Sequence, residues 1–358
     1  MTQLSNIRIV DIARKAGVSA GTVDRVIHNR GRVSPEKREL VEKALEEMNY
    51  EPNMVARFLA TKRHYTIAAV IPAFATGEYW ELVHHGMECA CDELRRFNIS
   101  IRYFFFDQHD RDSFLKRTTN LAEQHFDGVL MAPLLGDPAV ALSKTLDESG
   151  VPYVYIDANI VGQNNLAYFG SDSFAGGAVA ARLLINEVGR EAHLFFAHIR
   201  YPNRAQSIQM QARQKGFEQF LDAHHFPGQL HQLEVFPNDL SGNVARMREL
   251  LESTEGSLGG IVFNSRVHEL VKVVDCLDDH EKQRIRLVGY DAIEANVAAL
   301  RNNQVSFLLS QRPEIQGYDA VKALGNLFIF QQESCSVNHM PIDILIRENM
   351  DFYNNYKL

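Results

Sequence analysis

Ten polar and aromatic residues could form a binding site, nine of them at or after short apolar runs and Arg213 at the start of a helix-like RQKGF: Phe74, Tyr79, Trp80, Asp107, Asp157, Asn159, Arg213, Asn264, Asp291 and Gln311. Aromatic rings can cover the apolar face of a sugar ring, while carboxylates, amides and a guanidinium hydrogen-bond its hydroxyl groups. The set predicts a site for a small polyhydroxylated molecule such as a sugar or polyol. Simpler roles also exist, since Trp80 could be a core residue and Asn264 could form a turn.

The elements that position these residues are nine apolar runs, which alternate with helical stretches from Tyr65 onward: TIAAVIP, SIRYFFF, GVLMAP, VPYVYID, HLFFAH, HQLEVF, GGIVFN, IRLVGYD and VSFLLS. Apolar runs without polar alternation indicate strands covered on both faces, and alternating strands and helices predict parallel sheets. Nine strands exceed what one compact sheet of this kind usually needs. We therefore expect an α/β body of two Rossmann-like lobes whose strand ends face a cleft.

The expected body spans residues 64–358. We assign residues 64–170 and 300–333 to its first lobe, and residues 171–299 and 334–358 to its second. The chain would first change lobes near 170–174 and return near 299–304 and 331–341. Residues 1–52 and 53–63 precede this body as a separate head and a linker.

Three helical patterns fill the head, residues 1–52. The first covers residues 9–16 and stops at Gly17, Ser19 is the N-cap of the second, and Ser34 with Pro35 opens the third. Residues 1–64 carry 12 Lys/Arg against 8 Asp/Glu, whereas the whole chain has a net charge of −8. The pattern predicts an all-α helix-turn-helix whose basic surface suits nucleic-acid phosphates.

The second helix of such a unit presents its N-terminal side chains to the major groove of DNA. Arg25 could bond a guanine with two hydrogen bonds, and His28 could reach a base or a phosphate. Alternatively, Arg25 only solvates a surface helix. Asp24 would repel phosphate but could accept a hydrogen bond from cytosine, and the sequence leaves both options open.

Residues 53–63 follow as a short hinge. Its core, MVARFLAT, has eight residues, too few for a stable isolated helix in water. We expect it to fold only against a partner, with Arg57, Lys62 and Arg63 near phosphates. The alternative is an inert linker.

The segment IVDIARKAGVSAGTVDRVIHNRGRVSPEKRELVEKALEEMNYEPNMVARFLAT resembles the DNA-binding head and hinge of the lactose-repressor (LacI) family. The resemblance implies that two hinge helices pair in the minor groove, where Leu59 opens a base step. Members of the family usually carry Ser at the position of Asp24 and a longer polar pair at the positions of Ala20 and Gly21. An atypical operator preference is therefore expected. The candidate DNA contacts are Ser19, Ala20, Gly21, Thr22, Asp24, Arg25, His28, Arg32, Asn53, Ala56, Arg57 and Leu59.

From Tyr65 to about residue 346 the chain resembles the ribose-binding-protein-like body of the same family, a periplasmic binding protein type I domain. Four matching elements carry the resemblance: Tyr79-Trp80 with Gly86, Arg213 with Gly216 and Phe217, VGYD ending at Asp291, and QRPEIQG beginning at Gln311. Asn264 is followed by Ser-Arg instead of the common Asn-Asp pair. The ligand is therefore not expected to be an ordinary hexose.

Several other kinds of site are not expected. His84 with His85 and the run 107–110 lack a metal-ligand pattern, and Gly176-Gly177 lacks dinucleotide-loop spacing, so we expect no metal and no cofactor. The four cysteines are interpreted as reduced thiols. With no signal-peptide pattern and no window apolar enough for a membrane helix, the protein is expected to act in the cytoplasm, without a membrane partner.

Together these features predict a sequence-specific DNA-binding transcription regulator, a repressor, that is controlled by a sugar-like effector. We expect a homodimer on a near-palindromic double-stranded DNA operator, with a tetramer also compatible. Whether the effector releases or recruits DNA stays open. Two rival hypotheses are a solute-binding protein without a DNA role and, less favoured, a sugar-acting enzyme that uses Asp107, Asp157 and Asp291 as acid and base.

Overall fold

The computed structural model describes residues 7–27, 30–48, 50, 63–119, 121–200, 207–332 and 336–353. The chain divides into two compact units, Met1–Thr61 and Lys62–Leu358. The described residues of the first unit are helical, and those of the second form an α/β body with two sheets. The predicted fold class is confirmed.

Three helices make up the described part of the first unit: α1 (Ile9–Ala16), α2 (Ala20–Ile27) and α3 (Pro35–Glu47). Helix α1 ends at Gly17, whose φ of 66° is left-handed and therefore favours glycine. The Ser19 Oγ accepts the Thr22 backbone N–H at 3.2 Å, as expected of the α2 N-cap. The predicted helix-turn-helix arrangement is confirmed.

All three helices contribute to the core of the first unit, and one residue of each, Ile12, Val23 and Val41, is fully buried in the shared cluster. The expectation for the third helix was only partly right. Ser34 precedes α3 and Pro35 opens it, but the Ser34 side chain makes no capping hydrogen bond. Pro35 has no N–H, so this helix start has one unpaired backbone donor fewer.

The body contains twelve strands among its described residues: β1 (Tyr65–Pro72), β2 (Ile99–Phe106), β3 (Gly128–Met131), β4 (Tyr153–Ile156), β5 (Ala167–Gly170), β6 (His193–Ile199), β7 (Leu230–Val235), β8 (Leu258–Ile261), β9 (Ile285–Tyr290), β10 (Phe307–Ser310), β11 (Val337–His339) and β12 (Asp343–Leu345). All nine predicted runs form strands. Strands β3, β4, β5 and β8 are buried at every residue, as strands covered on both faces must be.

These strands form two six-stranded sheets, one in each lobe. The spatial order is β11-β5-β4-β3-β1-β2 in the first and β12-β10-β9-β8-β6-β7 in the second. Among the described pairs, neighbours are parallel apart from the antiparallel pair β10 and β12. The helices around the sheets are α4 (Tyr79–Leu94), α5 (Arg111–Thr118), α6 (Asp137–Ser149), α7 (Ser173–Val188), α8 (Ile208–Ala223), α9 (Leu240–Glu252), α10 (Val267–Asp275), α11 (Asp279–Arg284), α12 (Glu294–Arg301), α13 (Pro313–Phe330) and α14 (Met350–Tyr353).

Two of the expected lobe boundaries differ from the structure. Strand β10 pairs with β9, so residues 300–310 lie in the second lobe, and the chain returns to the first lobe only after Ser310. Strand β11 pairs with β5 in the first lobe, whereas it was expected in the second. An apolar run predicts a strand but not which of two similar sheets it joins, and β11 is too short and exposed to show such a run.

Helices cross in backbone contact at glycines in both lobes. A Cβ atom on Gly177 of α7 would lie 1.9 Å from the carbonyl oxygen of Arg213 on α8, and one on Gly216 would lie 1.9 Å from that of Phe174. A Cβ atom on Gly86 of α4 would lie equally close to the carbonyl oxygen of Glu314 on α13. Because no side chain fits at these points, the crossings fix the helices that carry the predicted site residues.

Candidate functional site

A cavity of about 610 Å³ lies between the two lobes. Seven of the ten predicted residues line it: Tyr79, Trp80, Asp157, Arg213, Asn264, Asp291 and Gln311. Residues from α4 and the end of β4 form the first-lobe wall, while those from α8 and the end of β9 form the second. The volume is in the range of small-molecule sites.

Two aspartates occupy equivalent positions in the two lobes. Asp157 follows β4 and Asp291 follows β9, and each of these strands is third in the order of its sheet. Both have a φ of 66° and both are 3% exposed. Their backbone N–H groups bond the next strand, at Phe169 and Leu309. The left-handed turn, which Asp tolerates better than most residues, ends each strand with a carboxylate at the cavity.

Arg213 places a buried guanidinium close enough to affect both aspartates. It lies over the Tyr290 ring, 4.0 Å from the centroid, and donates to the Phe263 carbonyl at 2.6 Å. Burial raises the pKa of Asp157, and it raises the pKa of Asp291 to about 6; the Arg213 charge opposes both shifts. A guanidinium has five N–H donors, so it can bond the main chain and a ligand at once.

A chain of hydrogen bonds joins the two aspartates. The Tyr79 hydroxyl donates to Asp157 Oδ1 at 2.7 Å, and Gln209 Nε2 donates to the same oxygen at 2.8 Å. Gln209 also approaches Gln311 Oε1 at 3.4 Å, and Gln311 Nε2 donates to Asp291 Oδ1 at 3.0 Å. Burial, reinforced by the charges of both aspartates, raises the pKa of Tyr79 well above its ordinary value, so the phenol stays a donor.

Three predicted site residues are not among those that line the cavity. The Phe74 ring packs against His84 and Phe105 at centroid distances of 5.2 and 5.7 Å. Asp107 accepts the His109 backbone N–H at 3.0 Å and so stabilises the turn before α5. Asn159 lies beyond Asp157 in the loop after β4, half-buried but away from the cavity wall.

Other cavity residues were missed by the sequence analysis. Gln209 lies one helical turn before Arg213 on α8, a spacing that places both on one face and could have revealed it. Glu78 directly precedes Tyr79, and Arg266 follows Asn264 by two residues. The Asn264 amide oxygen accepts the Arg266 backbone N–H at 3.0 Å, so Asn264 forms a turn and also lines the cavity. Further polar lining residues are Gln108, His109, His198, Arg200 and His268.

The candidate DNA-binding face belongs to the first unit. Ser19, Ala20, Gly21, Arg25 and Arg32 are exposed, and Thr22 and Asp24 are half-buried. On α2 these positions alternate with Val23 and Val26, which face the core. The Arg25 Nε donates to the Gly21 carbonyl at 3.0 Å. The other five candidates, His28, Asn53, Ala56, Arg57 and Leu59, lie outside the described residues.

Within the described ranges, no group of three or more His, Cys, Asp or Glu residues is placed to hold a metal ion. No helix in the same ranges is both long and apolar enough to cross a membrane.

Comparison with known proteins places both units in described families. Residues 8–53 match the family of bacterial regulatory proteins, lacI family, and residues 67–332 match the periplasmic binding protein domain. The HTH-type transcriptional regulator CelR of Thermobifida fusca is 36% identical over 178 residues, which are 49% of this chain and 51% of CelR. This match thus spans about half of CelR. The sucrose operon repressor of Pediococcus pentosaceus is 25% identical over 79% of this chain and 82% of its own.

Among solved structures, a candidate LacI transcriptional regulator from Bacteroides fragilis is 31% identical, with a TM-score of 0.74. The alignment covers 81% of this chain and 100% of that protein. The resemblance inferred from the sequence is therefore confirmed in both units. The chain belongs to the lacI family of bacterial regulatory proteins, and its body is a periplasmic binding protein domain.

Proposed function

We propose that this protein is a sequence-specific transcription regulator whose affinity for operator DNA is controlled by a polyhydroxylated effector in the cavity. One observation carries the proposal. The same chain joins a helix-turn-helix to a body with a buried Asp157, Arg213 and Asp291 set at an interlobe cavity. The first part supplies a DNA-reading helix and the second a hydroxyl-binding site.

The head supports DNA binding through α2. Its exposed face presents Arg25 and the small residues Ala20 and Gly21, so the helix backbone can approach base edges closely. The N-terminus of the helix also favours a phosphate, because its free N–H groups and dipole are positive. We infer that Arg25 leaves the Gly21 carbonyl to bond a base when DNA binds.

The cavity supports an uncharged effector. Asp157 and Asp291 supply acceptors and Arg213 supplies donors, and all three are at most 3% exposed. Two carboxylates against one guanidinium disfavour an anionic ligand. Trp80 lines the same cavity and can cover the apolar face of a sugar ring. The sucrose operon repressor, a relative over most of its length, fits this assignment.

The coupling between effector and DNA would use lobe closure. Rotation of one lobe against the other changes the surface that two copies share, so closure can favour or release a paired DNA-bound state. We propose a homodimer on a near-palindromic operator, because one α2 helix reads only a few base pairs. Such a regulator acts in the cytoplasm, at the nucleoid when bound to its operator.

The proposal is tested with the full chain in two measurements. Selection from a randomised DNA library should yield an inverted repeat, and log affinity for it should fall linearly with log salt concentration. A thermal-shift screen of sugars and polyols should find a compound that raises the unfolding midpoint and changes the affinity for that DNA. Absence of sequence-selective DNA binding would overturn the regulator assignment, and a stabilising sugar without effect on DNA binding would favour a solute-binding protein.

A further inference from the structure

An ion pair joins the two lobes at the edge of the cavity. The Arg266 guanidinium donates to Glu78 Oε1 at 2.6 Å. Glu78 directly precedes α4 in the first lobe, and Arg266 directly precedes α10 in the second. Their side chains are 38% and 25% exposed, so the pair lies between the buried floor of the cavity and solvent.

Both partners are held by their own loops. The second carboxylate oxygen of Glu78 accepts the Ala75 backbone N–H at 3.0 Å, and the Arg266 N–H donates to Asn264 at 3.0 Å. Glu78 suits the N-terminus of α4, whereas an arginine at the N-terminus of α10 opposes the helix dipole. The position of Arg266 is therefore not explained by its own helix but by the carboxylate in the other lobe.

A second contact between the lobes lies deeper in the cavity. Gln209 of α8, in the second lobe, donates to Asp157 Oδ1 and to the Asp157 carbonyl, at 2.8 and 3.3 Å. Both interlobe contacts are made by side chains of this chain. Neither contact needs a ligand atom, so both can join the lobes before an effector binds.

We propose that Glu78 and Arg266 form a latch that holds the lobes together and sets the fraction of closed protein before the effector binds. An ion pair at this exposure changes the ratio of closed to open protein by up to about fivefold. The apparent effector affinity depends on the fraction of protein in the binding-competent state, so the latch sets the sensitivity of the regulator. Because the pair is partly exposed, high salt should weaken it.

The latch is tested by measuring the distance between the lobes in the full chain without any added sugar. Spin labels on Lys144→Cys of α6 and Glu249→Cys of α9, both exposed positions, report this distance by pulsed EPR once the four native cysteines are replaced by serine. Dilution with unlabelled protein suppresses distances between copies. Arg266→Glu should add a longer-distance population, and Glu78→Arg should do the same.

The charge-swapped protein, Glu78→Arg with Arg266→Glu, should restore the short distance. As a matched control, Arg301 and Asp351 form an ion pair at 2.7 Å within the second lobe, and Arg301→Glu should leave the distribution unchanged. Arg266→Gln and Glu78→Gln provide milder variants if a reversed charge prevents folding. An unchanged distribution in the folded single variants, or no recovery in the swap, overturns the latch. Neither result bears on DNA binding, so the latch and the proposed function can fail separately.

Discussion

Gly177 and Arg213 meet at the point where α7 crosses α8, and a Cβ atom on the glycine would lie 1.9 Å from the arginine carbonyl oxygen. The residue that supplies the buried guanidinium is thus positioned through its backbone by a glycine on another helix. A close helix crossing in the second lobe and the geometry of the cavity therefore depend on the same contact.

We expect Gly177→Ala to lower the free energy of unfolding by about 1–3 kcal/mol, because the added methyl group forces the two backbones apart. Urea unfolding followed by circular dichroism measures this. Gly176→Ala is the matched control, since its Cβ would meet only side-chain atoms, the Tyr290 hydroxyl at 3.3 Å and the Ile342 Cδ1 at 3.5 Å being the nearest, and alanine favours a helix. Equal losses in the two variants would show that the crossing does not determine stability.

Asp291 should make stability depend on pH in the opposite sense to a paired surface carboxylate. Burial raises its pKa to about 6, so the folded state disfavours the charged form. The contribution of Asp291 to folding stability is fully present below its unfolded-state pKa near 4. It is lost as pH rises through about 6, and the loss is on the order of 2–3 kcal/mol. Asp291→Asn keeps an acceptor for Gln311 and removes this titration.

The measurement for this prediction is the difference in unfolding free energy between Asp291→Asn and the parent protein at pH 4.5 and pH 7. The difference isolates Asp291 from the other carboxylates, such as Asp239, whose pKa is lowered by its bond from Arg246. We expect the variant to gain relative stability at the higher pH. A difference that does not change with pH would contradict the assigned burial effect.

The sequence pattern identifies the cavity residues that directly follow a strand. Asp157 and Asp291 were found because they directly follow apolar strands, and the strand ends define the cleft in this fold. Gln209 shares a helix face with Arg213, so its spacing could have revealed it. Arg266 lies in a loop and meets Glu78 only because the second lobe faces the first, and that juxtaposition has no periodic signature in the sequence.

The same reasoning selected residues whose side chains are used locally. Asp107 follows β2 as Asp157 follows β4, yet its carboxylate closes the turn before α5. The residue class and the position after a strand are identical in the two cases. The outcome depends on the next few residues, since 108–110 turn at once into α5, which Asp110 caps, and the Asp107 carboxylate bonds the backbone of that turn.

Arg213 should stabilise the folded protein most at pH values above the pKa of Asp157 and Asp291, where both carboxylates are charged. Arg213→Met leaves Asp157 and Asp291 buried without the opposing charge, at a cost of about 3–5 kcal/mol near pH 7.5. At pH 5 a larger share of the two carboxylates is protonated, so the cost should be smaller. Chemical unfolding at both pH values measures the effect.

Arg301→Met is the comparison for this variant. Its guanidinium is 51% exposed and pairs with a largely exposed Asp351, so its loss should change stability by less than about 1 kcal/mol at either pH. A similar loss in both arginine variants would indicate a general packing effect and not a role for the buried charge.

Arg25 should determine specificity for DNA without affecting the stability of the head, because its side chain is exposed and its hydrogen bond to the Gly21 carbonyl stays within its own helix. Arg25→Ala is expected to weaken binding to the selected operator by about 1–3 kcal/mol and to relax the preference at one base pair of each half-site. Lys43→Ala, at an exposed position of α3, is the control and should retain that preference. Anisotropy titrations against the operator and its single-base variants separate the two outcomes. If Arg25→Ala weakened all sequences equally, the arginine would contact only phosphate and another side chain of α2 would read the base.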